Sequence, residues 1–275
     1  MMSHPHDSII VEKTGSVGRM TFNRPDQLNA INDEMGEKFH AALRDMENDE
    51  RIRCLIVTGM GRAFSAGEDI SGLRQRYQGD GGGDFEISKH PSLGDHLRKK
   101  YHPIILRMRN MQKPIIAQLN GIAAGSGASI ALACDIRIAS EDAGLKQAFV
   151  GVGLVPDSGS SYFLTRMVGP GRALELIMTG RTVSAREAQE LGLINTVVPK
   201  DQLRKTVEET AQLLASGPTK ALGMSKRIVS RVSVIELSEA LEYEAIHQDV
   251  AGRTEDHLEA VKAFLEKRQP KFSGR

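Results

Sequence analysis

The sequence carries almost no net charge. Lysine and arginine number 36 against 35 aspartates and glutamates. That excludes the strong basic excess of a nucleic-acid footprint. Cysteine is equally scarce. Cys54 and Cys134 are the two present, each inside an apolar run, so they read as reduced core residues rather than a disulfide framework or metal knuckle. The opening MMSHPHDS lacks an apolar segment, so no secretory signal is expected. His4 and His6 within it read as a frayed tail, not a metal pair. Formal charge is missing altogether from Ile115 to Cys134, twenty residues and long enough to cross a bilayer. However, Gln118, Asn120, Ser126 and Ser129 interrupt that run, together with Gly121, Gly125 and Gly127. It reads as a buried strand, a glycine turn and a buried helix, and a cytoplasmic protein is expected.

What remains is ample for a core, because 40% of the 275 residues are apolar. Two β-type runs, Ser8 to Glu12 and Val17 to Phe22, flank Gly15-Ser16 and predict a hairpin. Asn32 or Asp33 caps a helix reaching about Asn48, with Met35, Phe39, Leu43 and Met46 on one face. Cys54 to Thr58 is a buried strand followed by a glycine loop, after which a short helix is expected. Gly79 to Asp84 (GDGGGD) has the composition of a mobile loop. One helix is expected from about Leu93 to Met111, then strands at Ile115 to Leu119 and Asp135 to Ala139. Ser184 and Glu187 form a capping box for a helix that Gly192 stops. A last strand is expected from Leu193 to Val198. Four helical segments follow, near 201–215, 218–231, 234–251 and 254–268. Alternating strands and helices over the first two hundred residues argue for an α/β layer fold.

Two glycine turns carry the chemistry. The first is AFSAGEDI (Ala63 to Ile70), after the CLIVTG strand. The second is NGIAAGSGAS (Asn120 to Ser129), after the PIIAQL strand. Each is expected to leave a buried strand and enter a helix, whose start offers free N–H groups and a partial positive charge. Two such donors converging on one oxygen would form an oxyanion hole. The competing reading is that the glycines only allow tight packing. A dinucleotide site is a weaker reading, because Ile130 stands where GxGxxG needs its third glycine. A nucleophilic serine is weaker still, since neither Ser126 nor Ser129 lies in G-x-S-x-G.

The motifs Asn23-Arg24-Pro25 with Leu28-Asn29-Ala30, then AFSAGEDI, then NGIAAGSGASIALACDIRIAS, then VGLVPDSGSS, resemble the crotonase (enoyl-CoA hydratase/isomerase) family in order and spacing. The likeness extends to FLEKR near the C-terminus. It implies an α/β spiral core of repeated ββα units over residues 1–200 and an all-α region over 201–275 for assembly and pocket closure. It also implies a homotrimer or homohexamer acting on acyl-CoA thioesters, with no cofactor and no metal. The backbone N–H groups of Glu68 and Ser126 fall at the oxyanion donors. Ala66 falls where the backbone holds adenine. Arg24, Leu28, Arg62, Asp69, Ile70 and Lys267 fall among substrate or coenzyme A contacts. Basic side chains suit a polyanionic nucleotide, although each also reads as solvated surface charge. Asp69 equally reads as a structural residue of its turn.

The departure from the family is chemical. Its hydratases hold and activate water with two glutamates, and the matching positions here are Ser129 and Phe149. Neither side chain does carboxylate chemistry. Asp157, in LVPDSG, falls where several isomerases of the family carry their carboxylate, and its apolar flank would raise its pKa. Otherwise it simply caps a helix beginning near Ser158. The flank is most similar to ring-epoxide isomerases of aromatic acyl-CoA breakdown and to Δ3,Δ2-enoyl-CoA isomerases. The expected function is therefore an acyl-CoA isomerase with Asp157 as acid and base. The alternatives are an enoyl-CoA hydratase or a non-catalytic acyl-CoA-binding protein. None of the histidines falls in a catalytic motif; His102 and His247 read as helix-surface or interface residues.

Overall fold

A computed structural model of the chain describes residues 7–72 and 92–275. The expected mobile loop at Gly79 to Asp84 lies outside the described residues, as do His4 and His6. The hairpin forms as read: β1 (Ile9–Thr14) pairs antiparallel with β2 (Val17–Phe22) across Gly15, which has a positive φ. Helix α1 (Asp33–Asn48) starts where expected, because Asn32 Oδ1 accepts the Met35 N–H at 2.9 Å. That bond satisfies one of the donors a helix start leaves free.

The core is a sequence of strand pairs that divide between two sheets. β3 (Cys54–Gly59), β5 (Ile115–Leu119) and β7 (Ile136–Ser140) lie side by side and parallel in a six-stranded sheet. That sheet runs β1-β2-β3-β5-β7-β10, with β10 (Thr196–Val198) at its edge. The short partner of each central strand turns into a second sheet. There β4 (Ala63–Ser65), β6 (Ile122–Ala124), β8 (Gly144–Lys146) and β9 (Thr182–Ser184) run in that order. Strands buried on both faces read as continuous apolar runs, and β3 and β5 are buried at every position. Helix α4 (Ser126–Ala133), which follows β6, is buried along its whole length. These repeated strand–strand–helix units are the α/β spiral core the resemblance implies.

Five expectations change. The single helix from Leu93 to Met111 is two, α2 (Leu93–Lys99) and α3 (Tyr101–Asn110), meeting at Lys100. Pro103 is the reason: it has no N–H for the bond a continuous helix needs, so it is tolerated only in a first turn. The first glycine turn does not enter a helix. Glu68 instead forms a parallel bridge with Ile31, and a 3-10 turn follows at Ile70–Gly72. Asp157 does not cap the next helix. α5 (Ser160–Thr179) is capped by Gly159, without a side-chain bond, and breaks at Gly169. The last strand is shorter than Leu193 to Val198, because the Leu193 and Ile194 N–H groups both close onto the Ala188 carbonyl. That closure ends α6 (Ala185–Glu190), whose Ser184 cap is present. Glu187 points to Arg181 rather than completing the capping box.

The helical C-terminal region comprises α7 (Leu203–Ser216), α8 (Thr219–Val232), α9 (Leu237–Ala251) and α10 (Glu255–Leu265). α7 packs on the six-stranded sheet, where Leu203, Val207, Ala211 and Ala215 meet Cys54, Ile56, Ile116 and Ile138. α9 and α10 leave Leu237, Leu241, Ile246, Val250, Leu258 and Phe264 exposed. Among the described residues no helix is long and apolar enough to cross a membrane.

Candidate active site

The Leu28-Asn29 motif builds the floor of the first glycine turn. Both residues adopt left-handed backbone, with φ of 51° and 57°, a conformation Asn tolerates better than most. Asn29 is fully buried. Its amide donates to the Met60 and Ala63 carbonyls at 2.9 and 2.8 Å and accepts the Arg24 N–H at 2.9 Å. The Leu28 carbonyl takes the Ala66 N–H at 2.9 Å. Ile31 then accepts from Asp69 N–H and donates to Gly67 O. The turn from Ala66 to Asp69 is thus held along one side by backbone bonds.

The two glycine turns lie against each other. A β-carbon on Gly67 would sit 2.7 Å from the Ala124 carbonyl oxygen and 3.2 Å from the Ser126 nitrogen. One on Gly127 would meet the Ser65 carbonyl oxygen at 2.6 Å. Glycine is required because two backbones approach here with no room for a side chain. The approach brings the peptide groups of Gly67-Glu68 and Gly125-Ser126 together. Ser126 opens α4, and Gly125 takes φ 51°, ψ −128° as its cap. Among the described residues, no protein acceptor takes the Glu68 or Ser126 N–H.

Asp157 lies beside the second turn, close enough to Glu68 to feel its charge. The Ser129 hydroxyl, on the first turn of α4, lies 3.2 Å from the Gly125 carbonyl and 3.1 Å from the Asp157 carbonyl, which share its one proton. Ser129, expected from the resemblance to match a hydratase glutamate, thus has a hydroxyl within hydrogen-bond reach of the Asp157 backbone. The Ser158 hydroxyl donates to Asp157 Oδ1 at 2.8 Å. Ser158 (φ 51°) and Gly159 (φ 82°) are both left-handed, an uncommon state for serine that costs about 1 kcal/mol or more. Phe149 is buried at the head of the preceding 3-10 turn and accepts the Leu154 N–H at 3.0 Å. Burial pushes the Asp157 carboxyl above the ordinary carboxylate range. The Ser158 bond opposes that shift, the Glu68 charge adds to it, and His96 and His102 oppose it.

The Glu68 side chain is a center that local sequence patterns do not reveal. Lys100 Nζ donates to Glu68 Oε2 at 3.0 Å, and His96 Nε2 lies 3.1 Å from Oε1. The Tyr101 hydroxyl donates to Glu68 Oε2 and accepts from Ser126 Oγ at 3.0 Å. The available signal was a tyrosine among Ile104, Ile105 and Met108 on the buried face of α3. Gly36 gives Lys100 its path, since a β-carbon there would lie 2.8 Å from Lys100 Cε. Asp33, Glu68 and His96 have ligand atoms close enough to hold a cation. Lys100 already supplies one, bridging Asp33 at 3.2 Å and Glu68 at 3.0 Å.

The remaining expected contacts separate into groups. Arg24 and Asp69 form an ion pair at 2.7 Å, and Asp69 Oδ1 accepts the Ser71 N–H at 3.1 Å. Asp69 thus stabilises the turn, and one arm of Arg24 is committed to it. Arg62 and Ile70 are exposed, while Leu28 and Ala66 are half-buried. Lys267 is an exposed left-handed residue after α10 whose N–H bonds the Phe264 carbonyl. Among the described residues no hydrogen bond joins it to the Arg24 and Ala66 side of the site.

The sequence model of the enoyl-CoA hydratase/isomerase family matches residues 12–275. The chain is 39% identical to a 1,2-epoxyphenylacetyl-CoA isomerase of Escherichia coli K12, over 96% of its own length and 97% of that protein. It is 36% identical to a short-chain-enoyl-CoA hydratase of Clostridium acetobutylicum, over 96% of both. The crystal structure of an enoyl-CoA hydratase from Bacillus anthracis superposes with a TM-score of 0.85 at 33% identity, covering 98% of this chain and all of that one.

Proposed function

This chain belongs to the enoyl-CoA hydratase/isomerase family, and from that premise we propose that it is an acyl-CoA isomerase. The thioester carbonyl oxygen accepts the N–H groups of Glu68 and Ser126. That stabilises the enolate formed when a proton leaves the neighbouring carbon chain. Asp157, as carboxylate, takes the proton and returns it at another carbon. The net result is a shifted double bond or a rearranged ring epoxide, with no atom gained or lost. Arg24, Arg62, Lys267 and the Ala66 backbone serve the coenzyme A moiety. The exposed apolar side chains of α9 and α10 serve assembly into a trimer or hexamer, read by light scattering as a mass three or six times that of the chain.

One observation carries the preference for isomerisation over hydration. Ser129 binds the Asp157 backbone, so the helix that offers the Ser126 N–H also fixes the segment supplying the carboxylate. Hydration needs carboxylates to hold and activate water. At the two matching positions stand this committed serine and the buried Phe149.

The test pairs two substrates. A β,γ-unsaturated acyl-CoA incubated with the wild type should gain the absorbance of a conjugated enoyl thioester, and Asp157→Asn should abolish that gain while still binding the ester. Crotonyl-CoA should keep its absorbance. Rapid loss of that absorbance would establish a hydratase. Full isomerase activity in Asp157→Asn would remove Asp157 from the mechanism. Binding without turnover across a mass-spectrometric screen of unsaturated and epoxide thioesters would establish a silent binding protein.

A further inference from the structure

The Tyr101 hydroxyl touches both turns of the site at once. It donates to the Glu68 carboxylate on the first turn and accepts from Ser126 Oγ, at 3.0 Å, on the second. Glu68 and Ser126 are the residues whose N–H groups, among the described residues, lie unclaimed where the turns meet. Tyr101 is 1% exposed and stands at the first position of α3, an element belonging to neither turn. We propose that Tyr101 is a positioning residue of the oxyanion hole, a strap that sets the separation and aim of the Glu68 and Ser126 N–H donors. This rests on the oxyanion reading above.

The surroundings make the strap stiff. Glu68 is also gripped by Lys100, which donates to both of its carboxylate oxygens and to the Ile31 carbonyl at 3.1 Å. Ile31 is the residue that bridges the Glu68 backbone. The carboxylate and its own peptide are therefore both referenced to Ile31. Burial, and then the Glu68 charge, push the Tyr101 phenol well above its usual pKa, so the hydroxyl keeps its proton and stays a donor. Electrostatic preorganisation depends on donors fixed before charge develops. A displacement of a few tenths of an ångström in either turn weakens the pair against the enolate more than against the ground-state carbonyl. The strap should therefore act on kcat rather than on binding.

Two variants test the strap and leave both N–H groups in place: Tyr101→Phe removes both of its bonds and Ser126→Ala removes one. Each is assayed with a β,γ-unsaturated acyl-CoA, and the carbonyl stretch of a bound saturated, isotope-labelled acyl-CoA is read by infrared difference spectroscopy. In the wild type the stretch should fall in frequency on binding. In each variant that fall should shrink, kcat should drop about 10-fold or more, and KM should move less than about 3-fold. The double variant should be no worse than Tyr101→Phe alone, because that variant already removes the bond Ser126 makes. Unchanged kcat with a full frequency shift in Tyr101→Phe would overturn the proposal, as would additive losses in the double variant. If Tyr101→Phe fails to fold, Ser126→Ala carries the same two readouts. A wild type that shows no carbonyl shift would overturn the oxyanion reading itself, and the proposal with it, before any variant is considered.

Discussion

A β-carbon on Gly67 would stand 3.2 Å from the backbone nitrogen of Ser126, so these residues, far apart in sequence, meet backbone to backbone. The Gly67 φ of 93° points its peptide into that contact. The site is built from main chain first, and its side chains then hold the main chain still.

Gly67→Ala should therefore be costly twice. Positive φ strains a residue with a β-carbon by about 1–3 kcal/mol, and the new methyl meets a carbonyl oxygen at 2.7 Å. We expect a loss of at least about 2 kcal/mol in urea unfolding and a fall in kcat. Gly15→Ala is the control. Its φ is also positive, at 57°, but nothing lies within 4 Å of a new β-carbon. It should cost about 1 kcal/mol and leave turnover alone. Equal effects at the two positions would contradict the close approach.

Asp157→Asn should be more stable than the wild type at pH 8. Burial raises the folded-state carboxyl above its unfolded value. The unfolded chain therefore releases its proton first as pH rises. Stability is full below the unfolded value of about 3.9 and is lost as pH climbs through the folded value. The asparagine does not ionise and escapes that loss. Unfolding midpoints measured from pH 4 to 8 should diverge with rising pH. Parallel curves would show that Asp157 is not ionised at a cost. As a base, Asp157 should give activity that rises with pH above the ordinary carboxylate range.

Asn29→Ala should destabilise the chain by about 2–4 kcal/mol, because it removes three hydrogen bonds to the turn, one of them buried. The Met60 carbonyl and the Arg24 N–H lose their Asn29 partners. The Ala63 carbonyl keeps Asn120, at 3.1 Å. Denaturant titration reads the loss, and a change below about 1 kcal/mol would mean the amide is replaceable.

Asp135 and Lys226 should behave unequally. Asp135 accepts from Lys226 at 2.8 Å, from Arg109 at 3.1 Å and from the Ile115 N–H at 2.9 Å. Lys226, 7% exposed at its side chain, otherwise holds the Met108 carbonyl at 2.7 Å. Asp135→Ala leaves a buried ammonium without its counter-charge and should cost about 3–5 kcal/mol. Lys226→Met leaves Asp135 paired and should cost about 1 kcal/mol or less. Thermal unfolding of the two variants decides, and equal losses would refute the asymmetry.

The sequence by itself determined the local elements and the family to which the chain belongs. Asn32 announces α1, continuous apolar runs announce β3 and β5, and small residues announce α4, because capping and burial on both faces are written in neighbouring residues. The resemblance in its motifs leads one to expect Ser129 and Phe149 where a hydratase carries carboxylates. Tertiary structure alone decided the rest. The first glycine turn looks like a helix entrance, yet Ile31 draws Glu68 into a strand-like bridge. Asp157 looks like a cap, yet Gly159 takes that position. His96, Lys100 and Tyr101 carry no motif and meet Glu68 only in space. They come from a helix pair broken at Lys100, and the turn they serve is set by the parallel register of β4 against β6. Such convergence depends on sheet order across distant segments, and no local pattern of residues encodes it.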